Sequence, residues 1–232
     1  MNYIYGIILS GGTGTRMSSS VPKQFLKLKN EELLRHSVKA FQNWGLCKSI
    51  VVVANEEHIK QTEEILSDLL SPNDRIVTGG NTRHASTLLG LSAINFSKND
   101  VILIHDGARP FLSDKELHEI TNEILKFGSA TLASKVSETV VSSNENKVEK
   151  ILDRDSIWLI KTPQGLHSSL LELLLKQDLE SEPTDLCSWT ESIGVKPRLI
   201  ASNPFNLKIT FKEDLELAES YWNQFIQWKR GN

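Results

Sequence analysis

The first group of residues able to do chemistry is a glycine-rich loop that directly follows an apolar stretch. It has the sequence SGGTGTRM at residues 10–17, and Lys23 follows within PKQF at residues 22–25. Three glycines leave backbone amides uncovered, and such a nest of N–H groups binds phosphate oxygens. Arg16 and Lys23 flank the nest, which suits a triphosphate whose α-phosphorus gains negative charge during in-line attack. A tight turn with two solvated cations is the alternative, since the loop has neither Walker A spacing nor a dinucleotide fingerprint.

A second group is the sequence HDGARP at residues 105–110, which follows a very apolar run. An aspartate at the end of a central strand is well placed to hold Mg²⁺ against phosphates. Because Mg²⁺ keeps most of its waters, one protein carboxylate is enough, and we expect Asp106 to supply it. Arg109 is expected to pair with a substrate phosphate. The competing interpretation is that Asp106 caps a turn and Arg109 bridges to a surface carboxylate, while His105 is expected to be a hydrogen-bonded structural residue.

Two more polar positions stand out. The sequence GGNTRHAS at residues 79–86 is a glycine turn that leads into a helix, and its amides and the Ser86 hydroxyl could hold a base or ribose. A plain strand–turn–helix connection explains this stretch nearly as well. Lys208 stands between Leu207 and Ile209. We expect it on a short buried strand, pointing at an anion, because an unpaired buried ammonium group is costly.

Composition limits the class of function. A formal net charge of −3 gives no basic surface for nucleic acid, and 39% hydrophobic with 24% charged residues is typical of an ordinary globular chain. The apolar start at residues 3–9 lacks a basic flank and is too short to span a bilayer, so no membrane association is expected. Cys47 and Cys187 are far apart, and although a disulfide stays open, two free thiols in a reducing compartment are the simpler interpretation. We therefore expect a cytoplasmic protein.

Short apolar runs alternate with longer amphipathic stretches, which is typical of a parallel sheet with crossover helices. Strands are predicted at residues 4–9, 49–54, 75–78, 101–105 and 130–135, and helices at residues 32–42, 57–70, 83–94 and 114–127. Capping boxes are predicted at Ser113–Glu116 and at Thr210–Glu213, the second opening a C-terminal helix. No linker or repeat is present, so residues 1–232 are expected to form one domain.

Residues 137–156 break this rhythm. Apolar and polar residues alternate weakly here, and the segment contains the polar sequence SSNEN at residues 142–146. This pattern predicts a β-ribbon with a turn at residues 144–146. Such a ribbon has little core of its own. It can bury a face on a partner subunit, or it can be a solvated surface hairpin.

The glycine loop and PKQF together resemble nucleotide-sugar pyrophosphorylases in general. Five further sequences reduce the number of families that the chain resembles. They are HDGARP, the turn at residues 79–86, TPQ at residues 162–164, TD at residues 184–185 and NLKIT at residues 206–210. That ordered set spans nearly the whole chain. It resembles the methylerythritol-phosphate cytidylyltransferase family and its close relatives, the ribitol-phosphate cytidylyltransferases.

The resemblance implies a Rossmann-like α/β domain with a mostly parallel sheet, helices on both faces, and residues 137–156 as a projecting β-arm that makes a homodimer. It also implies roles for particular residues. Those that stabilise the charge on the α-phosphate would be Arg16, Lys23 and Lys208. Those that line the CTP site would be Gly11, Gly12, Gly14, Gly80, Asn81 and Ser86. Those that grip the polyol phosphate would be Asp106, Arg109, Thr162 and Thr184, with Thr139 and Arg154 reaching it from the neighbouring subunit, and Asp106 would also bind Mg²⁺.

The acceptor follows less directly from the resemblance. Ser10-Gly11-Gly12 stands where the methylerythritol branch usually has Ala-Ala-Gly, and Asn81, Glu138 and Lys161 are further departures. Residues 79–91, 105–111 and 156–164 resemble that branch more closely, so methylerythritol phosphate is the expected acceptor and ribitol 5-phosphate the alternative. A sugar-1-phosphate nucleotidyltransferase and an inactive nucleotide-binding module are the remaining possibilities. The sequence around Asp106 argues against the first. The presence of Arg16, Lys23, Asp106 and Lys208 argues against the second.

Overall fold

A seven-stranded sheet organises the protein in this computed structural model, which describes residues 2–12, 21–179 and 181–231. The strands, in chain order, are β1 (Ile4–Ser10), β2 (Lys27–Leu28), β3 (Glu31–Glu32), β4 (Cys47–Ala54), β5 (Arg75–Thr78), β6 (Val101–Asp106), β7 (Ser129–Lys135), β8 (Val140–Asn144), β9 (Lys147–Leu152), β10 (Trp158–His167) and β11 (Arg198–Ala201). The helices are α1 (Leu33–Trp44), α2 (Ile59–Leu66), α3 (Arg83–Ser92), α4 (Asp114–Phe127), α5 (Leu171–Leu174), α6 (Leu186–Glu191) and α7 (Lys212–Gly231). Among the described residues, no helix is both long and apolar enough to cross a lipid bilayer.

The strand order in the sheet is β11-β7-β10-β6-β1-β4-β5. Strand β10 runs antiparallel to both of its neighbours, and the other pairings are parallel. The α/β fold class with a mostly parallel sheet is therefore confirmed. The predicted strand at residues 75–78 and the predicted helix at residues 114–127 match β5 and α4 to the residue.

Successive apolar side chains of the central strands point to opposite faces of the sheet, which explains why helices cover both faces. In β1, Ile8 packs with α1, α2 and α4 on one face, and Ile7 packs with α3, α5 and α6 on the other. In β6, Leu103 and Ile104 divide between the same two clusters. Successive side chains of a strand point to opposite faces, so a strand that is apolar at every position needs cover on both.

Strand β10 was not predicted, and Pro163 is the reason. A proline inside an apolar run argues against a central strand because it cannot donate a ladder hydrogen bond. The peptide bond between Thr162 and Pro163 is cis, and the pairing of β10 with β7 is irregular between Ile160 and Gln164. The strand therefore accommodates proline at an interruption of its ladder. Strand β11 and the short helices α5 and α6 were also not predicted.

The predicted ribbon is present as β8 and β9, which pair antiparallel in a sheet of their own. Glu145 and Asn146 have φ angles of 49° and 61°, the left-handed geometry of a tight hairpin turn. Val148 and Ile151 are 67% and 69% exposed, so the ribbon buries little apolar surface within its own chain.

The C-terminal helix α7 packs on Phe111 and Ile209 through Ala218 and Phe225. The capping box predicted at Thr210–Glu213 is wrong, because Oγ1 of Thr210 donates to the carbonyl oxygen of Lys208 instead of capping the helix. Asp214, and not Glu213, accepts hydrogen bonds from the amides of residues 210 and 211, at 2.7 and 2.8 Å. The box predicted at the start of α4 is confirmed, with Ser113 and Glu116 bonding reciprocally.

Candidate active site

A cavity of about 320 Å³ opens where β1 and β6 end side by side. In open parallel sheets, ligands bind in the crevice outside the carboxyl ends of the strands, and this cavity lies there. The described residues that line it are Leu9, Ser10, Gly11, Gly12, Lys23, Gln24, Gly80, Asn81, Thr82, Arg83, Ser86, Asp106, Ala108 and Lys208. The wall therefore combines glycine backbone, hydroxyl groups, three cations and one carboxylate.

Asp106, the last residue of β6, is the electrostatic centre of the cavity. Its carboxylate lies 2.8 Å from Nζ of Lys208, 3.4 Å from a terminal nitrogen of Arg83 and 3.5 Å from Nε of Arg109. Burial alone would raise the pKa of this carboxyl. The charges of Lys208, Arg83 and Arg109 outweigh burial and lower the pKa of Asp106 well below its usual range, so the group is ionised at neutral pH.

A chain of hydrogen bonds behind the cavity fixes the turn that carries Asp106. The amide of Asp106 donates to Oγ1 of Thr162 at 3.0 Å, and that hydroxyl lies 3.1 Å from Nδ1 of His105. Nε2 of His105 lies 3.0 Å from the carbonyl oxygen of Arg109. A carbonyl can only accept, so Nε2 carries the proton and Nδ1 accepts from Thr162. His105 is fully buried, and burial lowers its pKa to about 4, which agrees with the structural role expected for it.

Lys208 reaches the cavity from an irregular segment, and its predicted strand is not found. The side chain is also 36% exposed, so the expectation of a buried lysine was wrong, although the expected anionic partner is present in Asp106. The segment is held from both ends. Asn206 donates from Nδ2 to the carbonyl oxygen of Thr162 at 3.1 Å, and the amide of Ile209 donates to the carbonyl oxygen of Ala108 at 2.9 Å. A side-chain hydrogen bond to β10 and a backbone hydrogen bond to the turn after β6 thus replace a sheet ladder.

The turn between β5 and α3 forms the opposite wall. Oγ of Ser86 bonds both the amide and the carbonyl oxygen of Gly80, at 3.1 and 3.2 Å. Thr82 caps α3 by accepting from the amide of Ala85 at 3.0 Å. A Cβ atom added at Gly80 would lie 2.5 Å from Cβ of Ala85, so any side chain there would displace the turn. In this structure the Ser86 hydroxyl therefore shapes the turn.

The structure brings many of the predicted site residues together, but not all of them. Those that line the cavity are Gly11, Gly12, Lys23, Gly80, Asn81, Ser86, Asp106 and Lys208. Arg109 and Thr162 are buried behind Asp106. Three residues lie elsewhere in the described part of the chain. Thr139 and Arg154 belong to the β8–β9 region and Thr184 is exposed just before α6. Gly14 and Arg16 lie outside the described residues.

Sequence reasoning missed several residues that shape the site. Arg83 is one of them, and the available signal was its position directly after the glycine turn, where α3 begins. Gln24 and Ser10 flank residues that were assigned, and they line the cavity themselves. Asn206 lies in the NLKIT sequence, but its role was hidden because its contacts with Thr162 and Arg109 join segments far apart in sequence.

Comparison with known proteins agrees with this architecture. Residues 4–224 match the model of the IspD family, described as 2-C-methyl-D-erythritol 4-phosphate cytidylyltransferase. A protein of that name from Leptospira borgpetersenii is 50% identical over 222 residues, which cover 96% of this chain and 94% of the relative. Another from Halalkalibacterium halodurans is 34% identical over 218 residues, covering 92% and 94%.

Solved structures show the same fold. The 2-C-methyl-D-erythritol 4-phosphate cytidylyltransferase of Francisella tularensis is similar with a TM-score of 0.79 at 29% identity, over 97% of this chain and 100% of that one. The 4-diphosphocytidyl-2C-methyl-D-erythritol synthase of Anaerococcus prevotii has a TM-score of 0.83 at 26% identity, over 96% of both chains. With the family match spanning nearly the whole sequence, the chain belongs to the IspD family of cytidylyltransferases.

Proposed function

We propose that this protein transfers CMP from CTP to 2-C-methyl-D-erythritol 4-phosphate and releases pyrophosphate, as a single nucleotidyltransferase domain over residues 1–232. The observation that carries the proposal is the cavity itself. Lys23, Lys208 and Arg83 converge there with an ionised Asp106 beside the amides of Gly11 and Gly12. Such a site suits a reaction in which two anions meet and negative charge builds up on one phosphorus atom.

The chemistry requires little beyond positioning. An oxygen of the acceptor phosphate attacks the α-phosphorus of CTP, the bond to the β-phosphate breaks, and pyrophosphate leaves. The attacking phosphate is already ionised at neutral pH, so no general base is needed. Lys23 and Lys208, with Arg16 as their expected partner, are proposed to stabilise the charge on the α-phosphate. We propose that the base and ribose of CTP lie against the turn formed by Gly80, Asn81 and Ser86. Gly14 of the glycine-rich loop is proposed to line the same CTP site.

Asp106 fits a magnesium ion that is shared with substrate. Within the described residues there is no cluster of three or more acidic, histidine or cysteine side chains that would form an all-protein metal site. Mg²⁺ in nucleotide sites is held by one or two carboxylates plus phosphates, and ionised Asp106 would supply the protein oxygen. Bound there, the ion would supply positive charge against the triphosphate.

The acceptor site is proposed to combine two chains of a homodimer. Arg109, Thr162, Thr184 and Asp106 would hold the polyol phosphate from one chain, and Thr139 and Arg154 from the other. The exposed apolar side chains of β8 and β9 support this proposal, because a ribbon with little core of its own gains stability by docking on a partner. In its own chain, Arg154 donates to the carbonyl oxygen of Ser137 at 2.9 Å at the base of the ribbon.

Two further parts of the proposal concern the acceptor and the compartment. The relatives at 50% and 34% identity carry the name of the methylerythritol phosphate enzyme, which favours that acceptor over ribitol 5-phosphate.

A cytoplasmic location is supported by the two cysteines, both of which are free. Burial raises the pKa of the Cys187 thiol to about 12, so this thiol is protonated at neutral pH.

A matrix of initial rates tests the proposal. Pyrophosphate release is measured for CTP, UTP, ATP and GTP, each with methylerythritol phosphate, ribitol 5-phosphate and a hexose 1-phosphate, in the presence of Mg²⁺. We expect one strong combination, CTP with methylerythritol phosphate. Equal turnover with a purine nucleotide would contradict the cytidylyl assignment, and faster turnover with ribitol 5-phosphate would contradict the acceptor.

A further inference from the structure

Two polar side chains in the cavity wall are buried without hydrogen-bond partners. Gln24 is 2% exposed and Ser10 is 5% exposed. Nε2 of Gln24 and Oγ of Ser10 have no partner within the part of the chain that the structure describes, yet both residues line the cavity. The Ser86 hydroxyl on the opposite wall differs, since both the amide and the carbonyl oxygen of Gly80 satisfy it.

An unsatisfied buried donor has a cost that a fold normally avoids. Leaving a buried N–H or O–H group without a partner costs the full desolvation penalty of that group, and most such groups in proteins are paired. Unpaired polar groups therefore tend to mark places where a ligand completes the bonding. Here two of them border one cavity.

The position of Gln24 indicates which part of a nucleotide it would meet. It directly follows Lys23 in a short 3₁₀ helix, Lys23–Phe25, which follows the glycine loop in sequence. A Cβ atom at Gly12 would lie 3.7 Å from Cε of Lys23, so the lysine stem lies against the glycine nest. Ser10 lies at the other end of that nest, next to Gly11. Both groups thus flank the amides and the cation to which we assign the phosphates.

We infer that Gln24 and Ser10 are further CTP-binding residues, and that the side-chain amide of Gln24 donates a hydrogen bond to an oxygen of the triphosphate while the Ser10 hydroxyl donates a second to the nucleotide. This inference rests on the proposed function, because it assumes that the cavity binds CTP. It adds two side-chain donors to a site otherwise described by cations and backbone amides. It also gives a role to Ser10, whose hydroxyl is buried in the cavity wall without a partner among the described residues.

Calorimetric titration with CTP and with inorganic tripolyphosphate, both in Mg²⁺, tests the inference on Gln24→Met and Ser10→Ala. Methionine keeps the volume of glutamine and removes its donor. We expect Gln24→Met to weaken both probes by roughly tenfold, as for a hydrogen bond to a charged group, and Ser10→Ala to weaken CTP by about threefold. Unchanged CTP affinity in both variants would overturn the inference, and a loss for CTP without any loss for tripolyphosphate would overturn the triphosphate assignment.

Thermal unfolding without ligand separates binding from packing. Removing an unpaired buried donor should leave the midpoint unchanged or raise it, whereas removing a paired one should lower it. Gln42→Met and Ser129→Ala are the matched controls, since Gln42 donates to the carbonyl oxygen of Leu69 and Ser129 to that of Gly165 at 2.9 Å. We expect the controls to lose stability and keep CTP affinity. A Gln24→Met protein that loses stability and keeps CTP affinity would show a packing role only. Wild-type protein that binds no CTP would instead contradict the proposed function.

Discussion

At the scale of single residues, Asp106 and the groups around it show how strongly local charge depends on distant parts of the chain. Arg83, Arg109 and Lys208 come from three separate segments and meet on one carboxylate. Three cations around one anion leave an excess of positive charge in the cavity. That excess suits the binding of anions, which is what the proposed reaction between a triphosphate and a phosphate requires.

Lys208 provides a direct test of this charge. We expect Lys208→Met to lower kcat by about 100-fold or more, since it removes a cation from the developing charge. The fold should tolerate it because the side chain is 36% exposed and Asp106 keeps both arginines. Lys229→Met is the control, because Lys229 pairs with Asp114 at the same 2.8 Å. A Lys208→Met enzyme with wild-type kcat would remove Lys208 from the mechanism.

His105 makes the stability of the protein depend on pH. Its pKa is about 4 in the fold and near 6.5 when unfolded, so between these values the unfolded chain binds a proton that the fold does not. The contribution of neutral His105 is complete above pH 6.5 and is lost as the pH falls toward 4, amounting to on the order of 3 kcal/mol. We expect the free energy of unfolding, measured by urea denaturation at a series of pH values, to depend less steeply on pH between 4 and 6.5 in His105→Gln than in the wild type. Identical slopes would contradict this assignment.

At the scale of elements, the segment that carries Lys208 depends on the start of α4. The Glu116 carboxylate accepts from the amide and hydroxyl of Ser113 at 3.0 and 2.7 Å. It also accepts from the amide and the side chain of Asn203 at 2.8 and 2.7 Å. One buried carboxylate therefore ties the helix cap to the segment that runs on to Lys208.

Replacing this carboxylate tests the coupling. Glu116→Gln places an amide donor among groups that need acceptors, so we expect the free energy of unfolding to fall by about 2 kcal/mol. We also expect kcat to fall, because the segment leading to Lys208 loses its anchor. Glu119→Gln, on the same helix and partly exposed, is the control and should change neither quantity. Lower stability with unchanged kcat would show that the cap and the site are independent.

Elements that depend on neighbouring residues could be predicted from the sequence, whereas elements held by distant residues could not. Strand β5, helix α4 and the Ser113 cap depend on neighbouring residues, and the sequence predicts them. Strand β10 contains Pro163, which hides a central strand from any local rule. The irregular segment of Lys208 was equally hidden. Asn206 is held by Thr162 and Ile209 by Ala108, and these partners lie far away in sequence. Many of the residues that line the cavity could be named from the sequence, but Arg83 and the backbone that holds Lys208 could not.

At the scale of the whole molecule, the ribbon of β8 and β9 is the feature that a single chain does not explain. Val148 and Ile151 expose apolar surface, and Arg154 is not among the described residues that line the cavity. A symmetric dimer in which each ribbon completes the partner's acceptor site accounts for both observations. In this proposed dimer, each active site would be built from residues of two chains.

Mixed dimers test it. Lys23→Ala and Arg154→Ala should each be nearly inactive. When they are co-expressed and pair at random, about half of the dimers are mixed, and one of the two sites in each has both wild-type residues. Activity should therefore return to roughly a quarter of the wild-type value. Mixed dimers that form but stay as inactive as their parents would show that Arg154 acts within its own chain.

An isotope experiment that follows the oxygen atoms through one reaction tests the proposed transfer itself. Methylerythritol phosphate labelled with ¹⁸O in its phosphate is incubated with CTP, Mg²⁺ and enzyme, and the products are examined by ³¹P NMR. If the acceptor phosphate attacks the α-phosphorus, the new diphosphate carries ¹⁸O in its bridge and the released pyrophosphate carries none. Label in the pyrophosphate, or conversion of CTP to CMP without a new diphosphate, would contradict the proposed transfer.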